Sequence, residues 1–155
     1  MTTTTGGGMH LDRDFSEFIA CCVARDARFL IVGGYALAAH GHPRFTKDLD
    51  VWIAADSANA RRLLEALADF GFGDIGLQEG DFTAPDAVIQ LGYPPLRIDL
   101  LTSIDGVEFD ECYSRRVVTP IDGVPVPFLH SEDLIRNKRA SGRAQDLADV
   151  EALEG

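Results

Sequence analysis

The segment RFTKDLDVWI, residues 44–53, carries two aspartates one residue apart inside a run that otherwise reads as a buried strand. Side chains two apart on a strand project to the same side, so Asp48 and Asp50 point together while Leu49, Val51 and Ile53 turn to the opposite face. Two like charges held within several ångströms, beside apolar neighbours, raise the pKa of at least one of them unless a cation sits between. The pair therefore asks for a metal. Hard divalent cations, Mg²⁺ above all and also Mn²⁺, take carboxylate oxygens and keep their remaining positions for water and phosphate oxygens. With a third acid on a neighbouring strand, such a dyad can hold two ions about 4 Å apart, the separation that clamps an in-line phosphoryl displacement.

The stretch LRIDLL offers that third acid, because Asp99 lies between Ile98 and Leu100 in a second strand-like run, a costly place for a carboxylate without a partner. Taken singly, each aspartate is also compatible with an edge strand or a surface position. Upstream, RFLIVGG is a β-branched run closed by Gly33 and Gly34, and YALAAHG follows as a short helix ended by Gly41. Glycines between a strand and a helix let backbone N–H groups approach a phosphate at the positive end of the helix. The spacing is neither a dinucleotide fingerprint nor a Walker loop, since no Gly-Lys-Ser/Thr occurs.

Working outward, Leu11, Phe15, Phe18, Ile19 and Cys22 recur at helical spacing and predict a helix over 11–26. Another helix begins near Asp56 or Ser57, presents Ala60, Leu63, Leu64, Leu67 and Phe70, and stops at Gly71. AVIQLGY and LRIDLLTS read as strands, and residues 105–114 as a short helix. RVVTPIDGVPVPFL reads as a hairpin turning at Asp122-Gly123, which its three prolines push to a sheet edge. Two helices close the chain, SEDLIRNKRAS, capped by Ser131, and AQDLADVEAL, with Gly142 between them.

A length of 155 residues suits one domain, here residues 11–155 after a flexible leader at 1–10. The three cysteines, Cys21, Cys22 and Cys112, cannot all pair within the chain, and with no apolar run of membrane-spanning length they predict a reduced, cytoplasmic setting. A net charge of −11 argues against a domain that coats nucleic acid through its overall field. One local basic stretch, Arg136, Lys138, Arg139 and Arg143, runs without an acid among its members; a solvated helix face is the plain reading of it.

Together, GGYALAAHG, RFTKDLDVWI and RIDLL resemble the nucleotidyltransferase superfamily that includes DNA polymerase β. With DLIRNKRASGRAQDLADVEAL near the end, the chain is similar to the compact prokaryotic branch of abortive-infection and other toxin-type nucleotidyltransferases, over roughly residues 28–153. The resemblance implies an α/β (α+β) nucleotidyltransferase fold with a small, mixed, mostly antiparallel sheet flanked by helices. Gly33 and Gly34 would cradle the triphosphate of an NTP; Asp48 and Asp50 would hold metal ions; Asp99 would complete the metal and catalytic site beside the attacking group. Arg44 and Thr46 would contact phosphate or brace the loop. Lys138 would approach the triphosphate from the far side, helped by Arg136 or Arg139, and Asp146 would orient this lysine or the nucleotide. The chain departs from polymerase-like members, which place serine after the first glycine. The implied reaction moves a nucleoside monophosphate to an acceptor hydroxyl of a tRNA, a protein or a small molecule, and the toxin-type branch adds a cognate antitoxin as a partner. A non-catalytic nucleotide- or partner-binding protein of the same fold is the alternative.

Overall fold

The computed structural model describes residues 11–42, 48–93 and 96–155. The leader at 1–10, Arg44 and Thr46 lie outside the described residues. The chain order is α1 (Arg13–Ala24), β1 (Phe29–Val32), α2 (Gly33–Ala39), β2 (Asp48–Ile53), α3 (Ser57–Asp69), β3 (Val88–Tyr93), β4 (Leu96–Leu101), α4 (Phe109–Ser114), β5 (Val117–Ile121), β6 (Val124–Phe128), α5 (Ser131–Ser141) and α6 (Ala144–Glu154). A single 3₁₀ turn, Glu79–Phe82, interrupts the glycine-rich loop after α3.

The strands form one mixed sheet in the order β3-β4-β2-β1-β6-β5. Its antiparallel pairs are β3 with β4, β2 with β1 and β6 with β5, whereas β2 pairs with β4, and β1 with β6, in parallel. All four residues of β1 are buried, which requires cover on both faces of the sheet. Phe15, Phe18, Ile19 and Cys22 of α1 and Ala60, Leu63, Ala66 and Leu67 of α3 supply part of that core.

Helix ends follow local chemistry. Asp12 caps α1 by accepting from Asp14 N–H at 2.9 Å, and Asp56 caps α3 by accepting from Asn59 N–H at 2.8 Å. Ser131 is the first residue of α5 rather than its cap; His130 caps it, its Nδ1 accepting from Glu132 N–H. Gly142, in the left-handed region at φ 70°, reverses the chain between α5 and α6. The predicted helix at 105–114 is shorter, beginning at Phe109.

The proline hairpin turns at Asp122-Gly123 as expected, but only β5 lies at the sheet edge. β6 is interior by order, and its pairing with β1 is confined to Ile31 opposite Phe128. Pro125 and Pro127 precede that point, so their missing N–H groups interrupt no registered pairing with β1.

One buried polar residue ties the layers together. Asn59 of α3 accepts from Arg28 N–H at 2.7 Å and donates to Arg28 C=O and Ala54 C=O at 3.0 and 2.9 Å, joining the start of β1 to the end of β2. Asn59→Ala leaves these groups without that partner, and a loss of about 2–3 kcal/mol in urea denaturation is expected. A loss under about 0.5 kcal/mol would contradict this role for Asn59.

Candidate active site

The parallel register of β2 and β4 sets Asp48 opposite Arg97 and Asp50 opposite Asp99. Alternation then places all four side chains on one face of two neighbouring strands. Asp99 is buried, Asp50 is half-buried, and the Asp48 side chain is 38% exposed at the rim. The three aspartates predicted from sequence are thus brought to one place by strands that are distant in the chain.

Arg97, which the sequence reading did not single out, stands among them. Its Nη2 donates to Asp48 Oδ2 at 2.9 Å and to Asp99 Oδ2 at 3.1 Å. Its Nε lies 3.0 Å from Asp99 Oδ1, but the approach is too bent for a hydrogen bond, and both atoms are buried without a hydrogen-bond partner. The guanidinium therefore serves two carboxylates and is fully seated on neither.

Asp50 carries the electrostatic consequence. Burial, followed by the charges of Asp99 and then Asp48, pushes its carboxyl up to about 6, against the lowering pull of Arg97 and Lys138. Gly33, the first residue of α2, meets this carboxylate. At φ 67°, a Cβ on Gly33 would fall 2.3 Å from Asp50 Oδ2, so glycine is required where α2 begins. Gly34 is buried in the first turn of the same helix.

A second polar cluster lies between α5 and α6. Lys138 is buried, with Nζ 2.8 Å from Asp149 Oδ2 and 3.4 Å from Asp146 Oδ1. Asp146 also accepts from Ser141 Oγ at 2.8 Å and Arg143 Nε at 2.7 Å. Burial works against its ionised form, but the bonds from Arg143 and Ser141 and the charges of Lys138 and Arg143 hold its carboxyl below the usual range. Lys138 and Arg143 both act on Asp50 through their charge, so this cluster lies within electrostatic reach of the β2–β4 carboxylates.

The remaining arginines of the basic stretch point elsewhere. Arg136 donates to the fully buried Asp133, shared with Arg115, and Arg139 pairs with Glu154. Neither takes the place expected for it beside Lys138. Arg136 instead borders a cleft of about 810 Å³ with Trp52, Thr102, Asp105 and Glu108. Trp52 lies two residues beyond Asp50 on β2, so the cleft opens along the same face of the sheet. His40, at the end of α2, hydrogen-bonds Leu129 C=O through Nε2 at 2.7 Å, a structural role.

Carboxylates on adjacent strands are the donor type a hard divalent cation takes. Asp99 Oδ1, buried without a hydrogen-bond partner though 3.0 Å from Arg97 Nε, is one such donor. Among the described residues, however, no group of three or more His, Cys, Asp or Glu side chains closes into a metal cage. The residues suit such an ion in type and charge, with Arg97 between two of them.

The profile of a family described as "Nucleotidyltransferase of unknown function (DUF6036)" matches residues 10–154. The chain belongs to this family. Solved nucleotidyltransferases share its fold. The antibiotic-resistance factor ANT(2'')-Ia, studied in solution, superposes with a TM-score of 0.58 at 14% identity, over 90% of this chain and 80% of that one. TM1012 of Thermotoga maritima, assigned as a nucleotidyltransferase, gives 0.58 at 14% identity over 94% of both chains. An antigenic nucleotidyltransferase-like protein of Paracoccidioides brasiliensis gives 0.50 at 19%, over 94% of this chain and 78% of that one. No curated protein sequence matches. The mixed sheet flanked by helices is thus the nucleotidyltransferase fold expected from the motifs, and no helix among the described residues is long and apolar enough to cross a membrane.

Asp50 generates a pH signature in this nucleotidyltransferase. Its folded-state pKa lies above the ordinary carboxylate range, so between about pH 4 and 6 this group binds more protons in the native state than in the unfolded chain. The Asp50 contribution to stability in EDTA should therefore fall as pH rises through that window, against the opposite contribution of carboxylates held low, such as Asp146. The difference in stability between Asp50→Asn and wild type is expected to grow in the variant's favour as pH rises from about 4 to 6, reaching on the order of 1–3 kcal/mol at pH 7.5. Denaturant titrations across pH check this, and a variant less stable than wild type at pH 7.5 would contradict it.

Proposed function

We propose that the protein transfers a nucleoside monophosphate from an NTP to an acceptor hydroxyl, releasing pyrophosphate, with Mg²⁺ or Mn²⁺ held by Asp48, Asp50 and Asp99. The observation that carries the proposal is the register pairing Asp50 with Asp99, which concentrates more negative charge than Arg97 offsets and leaves Asp50 with a raised pKa. A divalent ion bound there would neutralise charge on the transferring phosphate and orient it for in-line attack.

The chain's own residues divide the rest of the task. Gly33 and Gly34 admit the phosphates close to the backbone at the start of α2. Lys138 has three N–H donors, of which Asp146 and Asp149 engage two, so one remains for a phosphate oxygen. Asp146 and Asp149 hold that ammonium, whose charge acts on Asp50. Asp99, the most buried of the three carboxylates on β2 and β4, stands beside the attacking group and can accept the hydroxyl proton. Arg44 and Thr46 enter as phosphate contacts on the strength of the sequence motif alone.

Charge bears on the choice of acceptor. Arg136, Arg139 and Arg143 are each paired with a carboxylate, and the chain carries −11 overall. These features favour a protein or small-molecule hydroxyl over a polyanionic tRNA, with the Trp52 cleft as the space that would receive it. Incubation with each α-labelled NTP, Mg²⁺ and candidate acceptors tests the reading. Asp48→Ala and Lys138→Met are expected to lose about a hundredfold or more of label transfer, the scale of removing one transition-state contact. Transfer equal to wild type in Asp48→Ala would refute the assignment. Stabilisation by NTP and Mg²⁺ with no turnover on any acceptor would instead favour a nucleotide-binding regulator.

A further inference from the structure

We infer that Arg97 is a displaceable counter-ion: its guanidinium holds the place of a divalent cation between Asp48 and Asp99 and must leave before the metal binds. The inference rests on the metal-dependent reading above and adds a gating residue to it.

Three observations converge. The guanidinium touches the carboxylates on both strands, with Nη2 at 2.9 Å from Asp48 and 3.1 Å from Asp99. Its seat is imperfect, because Nε and Asp99 Oδ1 are buried without hydrogen-bond partners although 3.0 Å apart. Arginine is strong where its planar fork meets a carboxylate squarely, and here it does not. Asp50 receives none of its hydrogen bonds, so one of the three carboxylates on this face is left outside the guanidinium's reach.

There is also somewhere for the side chain to go. Arg97 is 29% exposed, so withdrawal toward solvent does not cross the core. On the β3 side its registered neighbour is Gly92, which presents no side chain to bar that movement. The ion pair is therefore replaceable by a competitor with higher charge density and a preference for the same oxygens. Once displaced, the guanidinium sits at the rim with five N–H donors available to a phosphate.

If Arg97 competes with the metal, removing it tightens metal binding; if it braces the strands, removing it loosens the site. Mn²⁺ titration without nucleotide, read by the electron paramagnetic resonance signal of free Mn²⁺, separates the two. Arg97→Gln is expected to bind Mn²⁺ about tenfold or more tightly than wild type, a change of about 1.4 kcal/mol. Adding Asp50→Asn to it should abolish the gain. Equal or weaker binding by Arg97→Gln, or a gain that survives Asp50→Asn, would overturn the inference. Should thermal melts show that Arg97→Gln does not fold, Arg97→Lys decides. Lysine keeps the charge but lacks the fork, so a severalfold tightening supports displacement and unchanged binding overturns it. Wild-type binding with no gain in the variants defeats the gate alone. Failure of every protein, wild type included, to bind Mn²⁺ defeats both the gate and the metal-dependent reading.

Discussion

The structure depends on one constraint, the parallel register that sets Asp50 opposite Asp99 and Asp48 opposite Arg97. Within a sheet, cross-strand neighbours stand about 5 Å apart, and like charges at that distance oppose the pairing that creates them. The fold sustains the arrangement because the opposite face of β2, with Leu49, Val51 and Ile53, is fully buried in the core. A one-residue slip would drive those side chains outward and the aspartates inward, a far larger cost than the repulsion. Apolar packing on one face thereby enforces an electrostatically strained face on the other.

The rest of the molecule answers that strain from several directions. Arg97 answers within the sheet. Gly33 lets β1 and α2 close against the Asp50 carboxylate where any side chain would collide with it. Lys138 answers from α5, held between Asp146 and Asp149, a buried trio in which two acids outnumber one base and Arg143 restores the balance. Such a cluster contributes little net stability, since desolvation offsets most of the attraction, but it fixes where the ammonium sits. Positioned charge of this kind is what phosphoryl transfer asks of a protein.

Much of this was legible in the sequence, for identifiable reasons. Period-two alternation is a local rule, so the shared face of Asp48 and Asp50 followed from their spacing, and the apolar flanks of Asp99 marked its burial. The same rule applied to LRIDLL places Arg97 beside Asp99. That Arg97 also reaches Asp48 depends on a pairing across 49 residues, which local pattern does not encode. Asp149 lies one helical turn from Asp146, an i,i+3 relation that would have found it. Arg136 and Lys138, two apart on a helix, face different sides, so the basic stretch divides between the Asp133 cluster and the candidate active site. Ser131 yielded the cap of α5 to His130, a choice within one residue that the sequence does not decide. The proline hairpin shows the converse: the turn was evident, yet strand order is a tertiary property, and β6 is interior by order with a single registered contact to β1.

On the proposed reading, these carboxylates form a cation site. Anomalous diffraction from crystals grown with Mn²⁺ and a non-hydrolysable NTP examines it directly. A manganese peak is expected within about 2.0–2.6 Å of carboxylate oxygens of Asp50 and Asp99, with the Arg97 guanidinium withdrawn from between Asp48 and Asp99. A nucleotide bound with no peak there, and Arg97 still bridging the two strands, would contradict it.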